Sequence, residues 1–149
     1  MNDPFARGAF IGLSASHTQA DIARAVLEGV AFAYRHALDA LIEEPITRLA
    51  LTGGGTRSLH WCQMIADVCA VEVALDEDAA NVGLRGALLA AQVARGDLHS
   101  YTRQKDTSAI TLLAPDSTLH SGYMRKYGFF RESYEALKPL FARMAIQNE

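Results

Sequence analysis

Apolar residues recur at three- and four-residue steps along Gln19–Glu43, through Ile22, Val26, Val30, Ala33, Ala37 and Leu41. That spacing predicts a long helix with one core-facing stripe. Thr18 is placed to cap it, and Asp21, three residues on, makes a variant capping box. Gly29 stands mid-helix, where it costs about 1 kcal/mol relative to alanine; a glycine kept there predicts close packing on a neighbouring element. Glu43-Glu44-Pro45 ends the helix. The pattern then changes. Arg48–Thr52 is an apolar run that closes on Gly53-Gly54-Gly55, which suits a strand buried on both faces. Ser58 is a good N-cap for a second helix over Leu59–Cys69, with Trp61, Ile65 and Val68 on one face.

Val71–Leu75 reads as a second strand and Asp76-Glu77-Asp78 as an acidic turn. Asn81 can cap a third helix over Val82–Arg95, where Gly83, Gly86, Ala87, Ala90 and Ala91 make one side small enough for a close backbone approach. Helix, strand, helix, strand, helix is the alternation of an α/β sheet. Gly96–Asp116 is polar and weakly patterned, and reads as a linker or loop. A last helix spans His120–Met144, with Tyr123, Tyr127, Phe130, Tyr134, Leu137 and Phe141 as an aromatic docking stripe. Pro139 is expected to kink or shorten it. Ala9–Leu13 is a short apolar stretch and a further strand candidate. There is no internal repeat.

The chain has 149 residues, 50% of them hydrophobic, which is the size of one domain with a real core. A net charge of −3 gives no reason to expect nucleic acid or an anionic membrane as partner. No apolar run approaches the roughly 18 residues of a membrane span, and the first residues lack a signal peptide's basic start and apolar core. A cytoplasmic location is the expectation. Cys62 and Cys69 lie on one helix with Cα atoms roughly 10 Å apart, too far for a disulfide, so both read as core thiols. The five histidines are scattered and make no metal-ligand spacing with Cys, Asp or Glu. Asp76-Glu77-Asp78 could ligate magnesium, but a solvated loop is the stronger reading. Asp67, near a helix carboxyl end where the macrodipole opposes it, is expected to hydrogen-bond a neighbouring loop.

The glycine run carries the chemistry. Three glycines allow backbone angles that a residue with a Cβ resists. They deliver bare N–H groups, and the positive end of a helix, to the carboxyl end of a strand, where α/β folds place nucleotides. The stretch matches neither the phosphate loop G-x-x-x-x-G-K-[ST] nor the dinucleotide fingerprint G-x-G-x-x-G. A plain strand-to-helix turn with no ligand is the competing reading.

Taken in order, Asp3-Pro4-x-Ala6-Arg7-Gly8, Gly12-Leu13, His17-Thr18, Arg24-Ala25-x-Leu27-Glu28-Gly29, Gly53-Gly54-Gly55-x-x-Ser58-x-x-Trp61-x-Gln63-x-x-Ala66-Asp67 and Gly83-x-x-Gly86-Ala87 form a specific set. With it the chain resembles the C-terminal part of the FGGY carbohydrate kinases, nearest to xylulokinase-like members. The resemblance implies an α/β fold, the C-terminal half of the actin-like, ribonuclease-H-like ATPase fold, closed by a C-terminal amphipathic helix. It implies a partial nucleotide-binding domain over residues 1–96, with a linker and the aromatic helix over 97–149 packing on it. It also implies transfer of the γ-phosphoryl of ATP to a sugar hydroxyl with Mg2+, a pentulose such as xylulose being the nearest match. Carried over by position, Gly53, Gly54 and Gly55 contact the nucleotide, flanked by Thr56, Arg57 and Ser58. Leu59 stands where some relatives carry a nucleotide-touching Asn. Arg85 interrupts the commoner Ala-Leu-Gly-Ala-Ala form, with no role implied.

In that family the sugar-binding domain, the catalytic carboxylate and the first phosphate-contacting turn precede the point matching Met1. No catalytic residue and no protein metal ligand is therefore assigned here. The isolated chain is expected not to phosphorylate sugar. Its two strands are expected to keep unpaired edges and an uncovered apolar face, favouring self-association or a complementary N-terminal half. The alternative is a non-catalytic interaction module that has lost ATP binding. A hydrolase has little support, since no Ser sits on a G-x-S-x-G elbow and no paired His and carboxylate stands out.

Overall fold

A computed structural model describes residues 3–100 and 109–146. In chain order these form α1 (Gln19–Leu41), β1 (Arg48–Leu51), α2 (Leu59–Cys69), β2 (Glu72–Asp76), α3 (Val82–Ala94), β3 (Ile110–Leu113) and α4 (Ser117–Ile146). Single 3-10 turns sit at Gly54–Arg57 and Ala79–Asn81. Two compact units result. One joins the segment up to Glu44 to the helix from Ser117, and the other is Pro45–Asp116.

In the first unit the capping box is complete. Thr18 Oγ1 accepts from the Asp21 N–H, and Asp21 Oδ2 accepts from the Thr18 N–H at 2.8 Å. The aromatic stripe of α4 docks on α1 as its spacing required. Phe32 lies among Tyr123, Tyr127 and Phe130, with ring centroids 6.4, 6.0 and 5.7 Å away. Glu28, buried beside this cluster, accepts from Lys126 Nζ at 2.9 Å and from Arg24 Nε at 2.8 Å. Tyr127 donates its hydroxyl to Asp39 at 2.8 Å. Burial first, then that carboxylate, pushes the phenol up to about 12.

The expected core stripe of α1 is not what it buries. Ala31, Phe32 and Glu28 face α4, whereas Ile22, Val26 and Val30 are 38%, 50% and 41% exposed. The helix carries two apolar stripes and its unit covers one. No atom of the described residues comes within 4 Å of a Cβ built at Gly29, so the expected close packing is not made. Ala9–Leu13 forms no strand. Pro139 does not end α4, which runs on to Ile146 with the proline inside it. Its cost is a missing backbone donor, carried by a helix held on both sides of the proline by Tyr127 and Phe141 burial.

In the second unit β1 and β2 pair in parallel with Arg48 opposite Glu72 and Leu51 opposite Leu75. β3 pairs antiparallel on the other side of β2, Val73 opposite Leu113. β3 lies in the stretch that read as a linker. Its four residues, Ile110–Leu113, are too short to show alternation, and they are stabilised by pairing with β2 rather than by their own pattern. One of the two edges expected to stay open is thus closed, and β1 remains an edge strand. Val73 and Leu75 point into the core against Cys62, Ile65 and Val68 of α2, all nearly or wholly buried. Neither Cys62 nor Cys69 is in a disulfide. Asp67 accepts from the Asp116 N–H at 2.9 Å and from Gln63 Nε2 at 2.8 Å, and so ties α2 to the segment after β3, the loop bond expected of it.

Candidate functional site

The glycine loop leaves the carboxyl end of β1, and its geometry separates the roles of its residues. Gly53 has φ +97° and ψ 176°, a region only glycine adopts without strain. Its N–H donates to the Ala79 carbonyl at 2.7 Å, fastening the loop to the turn after β2. The Gly53 carbonyl accepts from the Thr56 N–H at 3.0 Å and the Thr56 hydroxyl at 2.8 Å. Ser58 caps α2, accepting from the Trp61 N–H at 3.3 Å. Gly55 is needed for an internal reason. A Cβ there would lie 2.1 Å from the Trp61 indole, so the ring packs directly on the loop. Gly54 is different: nothing described lies within 4 Å of a Cβ built on it.

Of the six residues singled out, Gly53, Thr56 and Ser58 are therefore engaged in building the loop. Gly54, Gly55 and Arg57 are exposed. Gly54 and Gly55 open the 3-10 turn, and the first N–H groups of such a turn have no partner within it. Two neighbouring backbone donors and one guanidinium are suited to an anion or a nucleotide. Leu59, on the first turn of α2, is 56% exposed and offers no polar contact.

The acidic turn lies beside this loop through the Gly53–Ala79 bond. Two of its carboxylates face polar partners. Arg85 Nη1 lies 3.9 Å from Asp76 and 3.6 Å from Asp78, and Asn81 Nδ2 donates to Asp78 at 2.6 Å. Asn81 makes no side-chain cap on α3, contrary to its expected role, because its amide is turned to Asp78. No group of three or more His, Cys, Asp or Glu residues among those described could hold a metal ion. Magnesium held here would need phosphate oxygens, or groups beyond these residues, as its ligands. The small side of α3 meets no backbone: a Cβ at Gly83 or Gly86 would have no described atom within 4 Å. The role of Arg85 was invisible to periodicity. The one available signal was a lone cation, on the second turn of a helix, just after three carboxylates.

A recess of about 1040 Å3 lies in the first unit between the segment around Arg7, α1 and α4. It holds none of the loop residues. Its lining is mostly apolar, with Arg7, His36, Arg131, Glu132 and Glu135 as its titratable residues besides Tyr134.

Residues 1–95 match the C-terminal domain of the FGGY family of carbohydrate kinases. The chain belongs to that family. It is 34% identical over 139 residues to the L-xylulose/3-keto-L-gulonate kinase of Escherichia coli K12, covering 91% of this chain and 28% of that protein. It is 33% identical over 153 residues to the xylulose kinase of the same organism, covering 95% and 30%. The crystal structure of a xylulose kinase from Rhodospirillum rubrum superposes with a TM-score of 0.72 at 35% identity, over 93% of this chain and 28% of that one. The fold is thus the C-terminal part of an FGGY kinase, within the actin-like, ribonuclease-H-like ATPase class. The chain spans less than a third of the length of these relatives.

Proposed function

We propose that this chain is the ATP-binding part of a sugar kinase that transfers the γ-phosphoryl of ATP to a hydroxyl of a pentulose such as xylulose. The observation that carries the reading is the loop itself, three glycines at the carboxyl end of a parallel strand with two exposed N–H groups side by side. Membership of a carbohydrate-kinase family supports the phosphoryl chemistry, and similarity to proteins named xylulose kinases supports the pentulose. Gly54 and Gly55 donate to the nucleotide from the backbone and Arg57 supplies positive charge. Gly53, Thr56 and Ser58 hold the loop in shape. Magnesium, when bound with ATP, offsets triphosphate charge. No residue here is assigned as catalytic base, so the chain alone is proposed to be inactive, with sugar bound mostly by a complementary domain.

The test is a nucleotide titration read by Trp61, the single tryptophan, whose indole lies against the loop. ATP is expected to shift its emission, and Gly54→Val to abolish the shift without unfolding the chain, because a Cβ there meets no described atom within 4 Å. Retained affinity in G54V would remove the loop from the site. Gly55→Val cannot serve, since it collides with Trp61 whether or not nucleotide binds. A second reading, a non-catalytic interaction module, is favoured by the bare α1 stripe and by Leu59; an ATP titration with no response, with and without Mg2+, would select it.

A further inference from the structure

Arg85 belongs to no function so far described. It is the cation facing Asp76 and Asp78 across 3.9 and 3.6 Å, on a turn whose next residue, Ala79, accepts the Gly53 N–H. Asp78 directly precedes Ala79, and consecutive Cα atoms are about 3.8 Å apart. The Asp78 carboxylate therefore sits within roughly 13 Å of the Gly53 N–H. The three acidic side chains of this turn project negative potential toward the backbone donors of Gly54 and Gly55, and Arg85 offsets the part that comes from Asp76 and Asp78. Negative potential is the wrong sign for a polyphosphate. Between partly exposed charges the interaction persists at low salt and falls off beyond a Debye length of about 10 Å at 0.1 M.

We propose that Arg85 is a positioning residue for nucleotide binding: it offsets part of the negative charge of the acidic turn to which the glycine loop is fastened, so that the loop accepts phosphate more readily. The inference rests on the nucleotide reading of the loop. It adds that the part of the affinity owed to Arg85 grows with the number of phosphates. A residue that merely supported the fold would affect every nucleotide alike.

The experiment titrates the full chain with adenosine, AMP, ADP and ATP at low salt, reading Trp61 emission. In Arg85→Ala, ATP is expected to bind about tenfold more weakly, ADP less so, and adenosine unchanged. Raising the salt to about 0.5 M should shrink the difference. Arg85→Lys should bind as the unaltered chain does. Adding Asp76→Asn and Asp78→Asn to Arg85→Ala should restore ATP affinity. Those two substitutions alone, with Arg85 kept, should tighten ATP and leave adenosine untouched, an arm that does not depend on R85A folding. Equal loss for adenosine and ATP, no loss at all, or no restoration on removing the carboxylates overturns the inference and leaves the nucleotide reading standing. An unaltered chain that binds none of the four probes overturns both.

Discussion

At the scale of single residues, two backbone positions show how unevenly local chemistry is matched to local need. Gly53 fills its left-hand site with the residue that suits it. Ala70, the C-cap of α2, holds φ 55° and ψ 39° with a Cβ present. Glycine is the usual occupant of that conformation, and an L side chain there costs about 1–2 kcal/mol. Ala70→Gly is therefore expected to stabilise the chain by about 0.5–1 kcal/mol after the entropy of the added glycine is counted, seen as a higher urea midpoint at unchanged slope. Glu28 supplies the second prediction. Burial raises its carboxyl pKa, but hydrogen bonds from Arg24 and Lys126 outweigh this and hold it below the ordinary 4.5. A depressed native value adds stability that is complete above pH 4.5 and is lost as the pH falls through that lower value. Both cations are more than half exposed, which weakens the pair. Glu28→Gln is expected to cost on the order of 1–3 kcal/mol at pH 7 and to flatten the acid limb of the stability profile. An unchanged acid limb would show that another carboxylate is responsible.

Between elements, the docking of α4 on α1 depends on one ring more than on any other. Phe32 is 5% exposed and touches three aromatic partners. Phe32→Ala is expected to cost roughly 3–5 kcal/mol, read by denaturant unfolding, and to release Tyr127 so that it ionises nearer 10 in a spectrophotometric titration. This contact was foreseen from one side only. The aromatic spacing of α4 announced a docking face, whereas the choice between the two apolar stripes of α1 could not be made from α1 alone. The same limit explains β3. Four residues carry no usable period, and the strand exists because β2 offers an unpaired edge at the right register. Boundaries set by local chemistry were legible: α2 begins after Ser58 and ends at Cys69 as its cap and spacing require.

Across the whole molecule the question is what covers the apolar surface that remains. Ile22, Val26 and Val30 on α1 are more than a third exposed, and α3 buries none of its residues, with Leu84 and Leu88 72% and 58% exposed. Exposed apolar residues in such number, on each unit by itself, are unusual on a protein that acts alone. The chain by itself is therefore expected to self-associate in sedimentation experiments, and Val26→Lys to shift it toward the monomer. A monodisperse monomer of the unaltered chain at high concentration would show that the stripe needs no cover.

What the sequence determined by itself depends on neighbours within a few residues: the helix periods, the Thr18 and Ser58 caps, the glycine turn after the first strand, and the ordered set of motifs that marks the family. These signals are local because capping, turn geometry and side-chain periodicity are local forces. Only the tertiary structure decided which face of α1 is buried, that Ile110–Leu113 becomes a strand, that Gly55 answers to Trp61 while Gly54 stays open, and that Arg85 meets Asp76 and Asp78. Each of these depends on a partner brought close by folding, and a spacing along the chain carries no record of that partner.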